Sequence, residues 1–184
     1  MPSPYCIEGM AIVSADGMLA DADGIMPPEI FIEGDQAFFE RSLDAAAAVI
    51  QGRNSGEQQP KSGERLRLIA THSVKALTPD PSSPKVLFWN PAVTPFEDGL
   101  RVLGVTQGRI GILGGTSIFG LFLPLYDIFH LSRAGTVRLP GGRPVFPQVP
   151  EHTPEDVLLQ HGLRPGPVHV FDRDKEASVV TWTR

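Results

Sequence analysis

Short apolar runs alternate with helix-like segments along this chain, and most of the runs end at a glycine or a polar residue. The runs that predict strands are 7–14, 48–53, 66–73, 85–90, 109–115, 127–139 and two more in the tail. The segments that predict helices are 34–48, 94–104, 116–126 and 153–162. Strands alternating with helices are typical of βαβ units, whose strands run parallel. The pattern predicts an α/β fold on a mostly parallel sheet.

Local sequence signals predict where three of the helices begin and that the chain ends in a hairpin. Asp35 is expected to cap the first helix, and the pairs Thr94-Pro95 and Thr153-Pro154 are typical of a cap followed by a first helical residue. The tail holds two alternating strands around the polar turn 172–175, which predicts an antiparallel hairpin at the edge of the sheet.

Composition bounds the possible roles of the chain. Its 184 residues fit a single domain, 1–184, and the net charge of -5 with no run of Lys or Arg gives no electrostatic support for a nucleic-acid partner. No apolar run reaches the roughly 20 residues of a membrane span, and the N-terminus has no basic segment before an apolar one. Cys6 is the single cysteine, so neither an internal disulfide nor a multi-cysteine metal site is expected. We therefore expect a cytoplasmic protein with a small-molecule partner.

Polar or glycine-rich residues follow three of the predicted strands, at 14–17, 51–55 and 114–117. In parallel sheets, ligands bind beyond the carboxyl ends of the strands. The pair Gly114-Gly115 runs into a predicted helix, where exposed amides and the helix dipole favour a phosphate. The alternative is a tight turn with Thr116 as a helix cap. The spacing matches neither G-x-G-x-x-G nor the P-loop.

Other candidate side chains also have two interpretations. Arg53 leaves a strand beside Asn54 and Ser55, and a guanidinium fork suits a phosphate monoester, although such an arginine is commonly only solvated. His72 ends the next strand and is open to the same two interpretations. Asp35 lies four residues before Phe39, on one helix face. A carboxylate there would be partly desolvated, with a raised pKa, and able to hold an N–H-rich ligand.

Taken in order, these motifs resemble the dihydrofolate reductase superfamily, which includes the reductase domain of bifunctional riboflavin-biosynthesis enzymes. The resemblance covers about 7–147 and rests on six matched segments: MAIVSADGMLA followed by GIMP, DQAFF, QGRNS, LIATHS, ILGGTSIFGLFLPLYDIFHLSRAG and PVFP. It implies a three-layer dihydrofolate reductase-like fold, with a mostly parallel central sheet and an antiparallel C-terminal hairpin. It also implies an NADPH-dependent oxidoreductase that transfers a hydride to a pterin substrate.

The resemblance assigns roles to individual residues. Asp35 is the implied catalytic carboxylate. The implied substrate-binding residues are Ala11, Ile12, Asp35, Phe39, Arg65 and Ser132. The implied cofactor-binding residues are Ile12, Asp16, Gly17, Leu19, Gly52, Arg53, Asn54, Ser55, Thr71, His72, Leu113, Gly114, Gly115, Thr116, Ser117, Ile118 and Phe119. In the family the two glycines form a non-proline cis peptide that carries the pyrophosphate, and the aromatic at Phe119 faces the nicotinamide.

Departures from the family pattern leave alternatives open. Pro28 replaces the usual Trp, Ser117 stands where many members have an Arg on the 2′-phosphate, and Arg67 competes with Arg65 for the substrate tail. SADGMLA is closer to the riboflavin-pathway reductases, although the chain has no H-x-E…C-x-x-C deaminase signature. A ribosylamino-pyrimidine substrate is therefore one alternative, with Arg65, Arg67 and Arg143 as candidates for its phosphate. A non-catalytic nucleotide-binding protein is another, and both a monomer and a homodimer are compatible with the sequence.

Overall fold

A computed structural model describes residues 2–184. Its strands are β1 (Tyr5–Ser14), β2 (Met18–Ala20), β3 (Ala48–Gly52), β4 (Arg67–Ala70), β5 (Thr78–Asp80), β6 (Ser83–Trp89), β7 (Gly108–Ile112), β8 (Ile128–Ala134), β9 (Arg143–Pro144), β10 (Arg164–Asp172) and β11 (Ala177–Thr183). Its α-helices are α1 (Glu33–Asp44), α2 (Phe96–Val102), α3 (Thr116–Phe122) and α4 (Pro154–Gln160). Single 3₁₀ turns lie at Pro28–Ile30 and Ser62–Glu64.

Nine strands form one sheet in the order β10-β11-β8-β1-β7-β3-β4-β6-β5. The six strands from β8 to β6 in this order are parallel to one another. The hairpin β10-β11 adds antiparallel strands beside β8, and β5 adds one at the opposite edge. The mostly parallel sheet and the antiparallel C-terminal hairpin predicted from the sequence are thus confirmed.

Helices cover the sheet on both faces, which makes three layers. Strand β1 contributes side chains to both faces of the sheet, because neighbouring side chains of a strand point to opposite faces. Ile7 and Val13 belong to the main core, which also contains buried residues of α2, α3 and α4. Met10 and Ile12 face the other way, toward α1 and the segment before it. No helix within residues 2–184 has the length and apolarity required to cross a membrane.

The first helix differs from its prediction at both ends. It begins at Glu33, with Ile32 at the cap position, so Asp35 lies in the first turn and is not the cap. It stops at Asp44, well before Ala48, because the next residues already join the sheet: the Ala47 amide donates a 2.8 Å hydrogen bond to the Arg109 carbonyl oxygen. The position of Asp35 inside the helix leaves its carboxylate free for other contacts.

Other boundaries also differ. Pro95, not Thr94, is the cap residue of α2, and the Thr94 carbonyl oxygen accepts a hydrogen bond from the Trp89 indole. The predicted strand 127–139 ends at Ala134. The Thr153 cap of α4 is confirmed, because its hydroxyl oxygen accepts a 3.1 Å hydrogen bond from the Asp156 amide. The short strands β2, β5 and β9 were not expected from the sequence, and two of them contain proline, which weakens a strand signal.

Candidate active site

The two glycine-containing turns at the ends of β3 and β7 touch each other. The Gly52 amide donates a 2.6 Å hydrogen bond to the carbonyl oxygen of Gly114. The peptide bond between Gly114 and Gly115 is cis, as the family resemblance implies. A Cβ atom added at Gly115 would lie 3.1 Å from the Ser55 hydroxyl oxygen, so the second turn closes directly over the first.

Helix α3 starts from this turn without a side-chain cap. Gly115 occupies the cap position and contributes no side chain, so the amides of the first helical turn lack intrahelical acceptors. The Thr116 hydroxyl donates instead to the Pro144 carbonyl oxygen, at 2.5 Å. A turn capped by Thr116, the alternative raised by the sequence, is therefore not what forms. Ser117, the next residue, is exposed.

Exposed polar groups surround the glycine turns. Arg53 and Asn54 follow Gly52 and face solvent. Because Gly52 pairs in register with Ala70 of β4, the residues that follow Ala70 lie beside them, and these are Thr71 and the exposed His72. The structure thus brings one arginine, one histidine and several small polar groups to the edge of the sheet where the glycine turns lie.

Asp35 is the most perturbed carboxyl group of this region. It is buried, with 6% of its surface exposed, in the first turn of α1. Burial raises its pKa from the ordinary 3.8 to about 6, and a hydrogen bond from the Ser132 hydroxyl partly offsets this increase. A carboxyl group in such a position exchanges its proton near neutral pH.

Apolar side chains surround this carboxyl group. Ile12 of β1 pairs in register with Ser132 of β8, and it packs with Ile30 and Ile32, which precede α1. Phe39 packs one helical turn later, against the cluster of Met10, Leu43 and Val49, which Leu113 also contacts. The Ala11 side chain lies on the opposite face of β1, where it packs against the main core, so only its backbone is left to face these residues, and its substrate-binding role stays a prediction.

The segment after β1 is held in place by its own polar groups. The Asp16 carboxylate accepts a 2.6 Å hydrogen bond from the Ser14 hydroxyl and a 3.0 Å bond from the Leu139 amide. Desolvation raises the pKa of Asp16, but these bonds together with the nearby Arg138 outweigh it and hold the pKa below its ordinary value. Gly17, with φ +83°, follows, and its carbonyl oxygen accepts a bond from the Val145 amide. Leu19 lies in β2 and packs on the main core, so these predicted cofactor residues serve first to order the loop.

The comparisons with known proteins identify the architecture. No protein-family model and no curated protein sequence matches this chain. A protein assigned to riboflavin biosynthesis in Shewanella sp. PV-4 superposes with a TM-score of 0.66 at 18% identity, covering 97% of this chain and 98% of its own. Dihydrofolate reductase of Enterococcus faecalis, solved with NADP(H) and RAB-propyl, superposes with a TM-score of 0.65 at 17% identity, over 97% and 96% of the two chains. This chain has the dihydrofolate reductase fold.

A third structure agrees. A pyrimidine reductase-like protein of Corynebacterium diphtheriae superposes with a TM-score of 0.64 at 16% identity, covering 97% of this chain and 91% of its own. Within this dihydrofolate reductase fold the glycine turns and Asp35 lie at the carboxyl ends of the central strands. The sequence prediction of the superfamily architecture is confirmed at the level of the fold.

Two predicted site residues are engaged elsewhere. Phe119 is 1% exposed and packs edge-on against Phe129, with ring centroids 5.7 Å apart, so it supports the Gly114 turn from the core side. Arg65 is bound to two carboxylates of the chain itself, at Asp44 and Glu57. Neither side chain lies free at the candidate site.

Two polar side chains at this edge of the dihydrofolate reductase fold were missed by sequence reasoning. Arg133, on β8, donates to the carbonyl oxygens of Ser14 and Ala15 at 3.2 and 2.9 Å and also contacts Glu155, so it fixes the point where β1 ends. Glu57 lies in the polar segment between β3 and β4, yet its side chain is only 2% exposed. A polar segment with no apolar anchor gives no sequence signal that one of its carboxylates is buried.

Proposed function

We propose that this protein is an NADPH-dependent reductase that transfers a hydride to the ring of a pterin. The observation that carries the proposal is the juxtaposition of two features at one edge of the sheet. One is the pair of touching glycine turns, and the other is Asp35, a buried carboxyl group whose pKa is raised to about 6. The first suits an anionic cofactor and the second a nitrogen-rich ring.

The glycine turns would hold the pyrophosphate of the cofactor. A Cβ atom at Gly114 would lie 2.4 Å from the Phe119 ring, so a side chain there would crowd the turn, whereas one at Gly52 would make ordinary contact with Ile118 at 3.4 Å. Backbone amides of Gly115, Thr116 and Ser117 would hold the phosphates, and Arg53 with His72 would bind the 2′-phosphate. NADPH, when bound, supplies the hydride.

Asp35 would act on the substrate. Its carboxyl oxygens would accept hydrogen bonds from the N–H groups of an amino-pyrimidine edge, while the Phe39 ring lies along the heterocycle. Because its pKa lies at about 6, the carboxyl group carries a proton in a useful fraction of molecules near neutral pH. The Ser132 hydroxyl would keep the carboxyl group oriented. The loop from Asp16 to Pro28 would exclude water from the ring.

A ribosylamino-pyrimidine is the second candidate substrate. Two of the three structural relatives carry names from this chemistry, a riboflavin-biosynthesis protein and a pyrimidine reductase-like protein. The ring of such a substrate presents the same kind of amino-pyrimidine edge to Asp35 as a pterin does. The two substrates therefore differ in the groups attached to the ring, away from the edge that would contact Asp35.

The test is an assay of NADPH oxidation by the purified protein with dihydrofolate, with a dihydropterin lacking a side chain, and with the ribosylamino-pyrimidine. We expect turnover with at least one of them and its loss in Asp35→Asn. Asp174→Asn, an equivalent change in the exposed hairpin turn, is the matched control and should retain full activity. NADPH binding without oxidation of any substrate would favour the non-catalytic nucleotide-binding alternative and contradict the proposal.

A further inference from the structure

Two arginines beside the candidate active site share one buried carboxylate of the chain. The Glu57 Oε1 atom lies 3.0 Å from Arg65 Nε and 2.9 Å from Arg67 Nη2. Both arginine side chains are 8% exposed, and the Glu57 side chain is 2% exposed. Such charge-assisted, desolvated pairs are the strong class of hydrogen bond in proteins.

Other nitrogens of the two arginines also have partners within the chain. Arg65 Nη1 donates to Asp44 Oδ1 at 3.0 Å. Arg67 Nη2 also donates to the Ser62 carbonyl oxygen at 3.0 Å, and its Nη1 contacts the Gln51 side chain. Arg65 Nη2 is buried and has no hydrogen-bond partner among the described residues. Each arginine thus already has partners within the chain on two of its three nitrogens, which leaves it poorly placed to grip a ligand carboxylate or phosphate with two parallel donors.

This cluster adjoins the candidate site on the face covered by α1. Gln51, which contacts Arg67, immediately precedes the glycine turn at Gly52. At the other end, the Gln59 side chain donates a 3.0 Å hydrogen bond to Gln36, the residue next to Asp35. The segment 57–65 therefore runs along α1, from the level of Asp35 to the end of the helix at Asp44.

We propose that Glu57 is an internal carboxylate that occupies Arg65 and Arg67 and so keeps anionic groups of a substrate from binding them. The candidate site would then select substrates whose ring carries no anionic group on the side that faces these arginines. The inference rests on the proposed function, because it concerns the substrate of the same site. A carboxylate held within the chain acts at an effective concentration of about millimolar or above, which a free ligand must exceed to displace it. Displacement would also leave Glu57 buried and unpaired, which is strongly unfavourable.

The first experiment compares two ligands that share a ring and differ in their tail. A 2,4-diaminopteridine bearing a p-aminobenzoylglutamate tail and the same molecule with the glutamate replaced by an N-methylamide (the methyl ligand) are titrated calorimetrically into the protein loaded with NADP. For the wild-type protein, we expect the glutamate to add less than about threefold to the affinity. A tail that improves binding of the wild-type protein by about tenfold or more would overturn the inference.

The second experiment removes the internal charge. Glu57→Gln keeps the hydrogen-bond acceptor but frees the positive charge of both arginines, and we expect it to bind the glutamate-bearing ligand about tenfold more tightly with little change for the methyl ligand. Asp44→Asn frees only Arg65 and should give a smaller gain in the same direction. Glu64→Gln, which removes an exposed carboxylate from the same segment, is the matched control and should give none.

A third measurement separates failure of this inference from failure of the proposed function. Glutarate is added at constant ionic strength, and the thermal midpoint is followed for the wild-type protein, Glu57→Gln and Glu64→Gln. Selective stabilisation of Glu57→Gln supports the internal carboxylate even when neither pteridine binds, in which case the pterin assignment alone fails. No selective effect of glutarate on Glu57→Gln would overturn the inference even when both pteridines bind.

Discussion

The Gly52 amide donates a 2.6 Å hydrogen bond to the carbonyl oxygen of Gly114, and this contact joins two turns that are far apart in the chain. It exists because β3 and β7 are parallel neighbours in the sheet, so their carboxyl ends meet. Each turn, taken alone, is compatible both with a ligand site and with a tight turn that has no ligand. Together they form one glycine-lined edge beside a buried carboxyl group, and the proposed function depends on that juxtaposition.

The Gly114 position should not tolerate a side chain. Its φ of +90° disfavours any other residue, and an added Cβ atom would lie 2.4 Å from the Phe119 ring. Gly141 has a φ of +71° with no atom within 4 Å of an added Cβ, so Gly141→Ala measures the backbone cost alone. We expect Gly141→Ala to lower the free energy of unfolding by about 1–2 kcal/mol and Gly114→Ala by clearly more. Equal losses in urea titrations would contradict close packing of Phe119 under the turn.

The raised pKa of Asp35 makes a prediction about stability and pH. Because its pKa is about 6 in the folded protein and ordinarily 3.8, the folded state binds the proton more tightly than the unfolded chain. The contribution of Asp35 to stability therefore falls as the pH rises from 3.8 to about 6, by up to about 3 kcal/mol, and is constant above that range.

Asp35→Asn removes this titration while leaving the pocket filled. Relative to the wild-type protein, its free energy of unfolding should be higher by up to about 3 kcal/mol at about pH 7.5, with the difference disappearing below about pH 4. Urea denaturation at both pH values measures this. A destabilised Asp35→Asn protein at neutral pH would show that the carboxylate is better stabilised than its burial implies.

Arg53 should distinguish the phosphorylated cofactor from the unphosphorylated one. Its exposed guanidinium follows the Gly52 turn, beside the exposed His72. We expect Arg53→Ala to weaken NADPH binding by about tenfold and to leave NADH binding nearly unchanged, because only NADPH presents a 2′-phosphate. Calorimetric titrations of both cofactors measure this, with Arg173→Ala in the distant hairpin turn as control. An equal loss for both cofactors would place Arg53 away from the 2′-phosphate.

Removing Glu57 should destabilise the fold. Glu57→Ala leaves two buried guanidinium groups without their shared carboxylate, and such uncompensated burial costs about 3–5 kcal/mol. Glu64→Ala, an exposed change in the same segment, should have little effect on the urea midpoint. If the two variants unfold at the same urea concentration, the Glu57 carboxylate does not pair with the arginines in solution.

The sequence predicted the larger elements because their signals are local. Apolar runs, Pro after Thr153 and the polar turn at 172–175 each act over a few residues. What it did not predict depends on partners distant in the chain. β2 and β9 form only by pairing with each other. Asp35 is buried because β1 and β8 bring Ile12 and Ser132 against the start of α1. Glu57 is likewise buried by arginines that its own segment and the next strand supply.

The sequence also did not predict the orientation of individual side chains. Ala11 and Ile12 were both expected at the substrate pocket, but strand alternation allows only one of them to face α1. Arg65 was expected to be free, and its pairing with Asp44 and Glu57 is visible only once α1 and the segment 57–65 lie side by side.

The most direct test of the proposed reductase is to follow the transferred hydrogen itself. The protein is mixed with NADPH carrying deuterium in one of the two C4 positions and with a dihydropterin or the ribosylamino-pyrimidine, and the product is analysed by mass spectrometry. The proposal predicts deuterium in the reduced product, in the ring of a reduced pterin or in the sugar chain of a reduced ribosylamino-pyrimidine, from one of the two labelled cofactors and not from the other. It also predicts loss of the transfer in Asp35→Asn. An unlabelled product from both cofactors with every substrate, or undiminished transfer in Asp35→Asn, would contradict it.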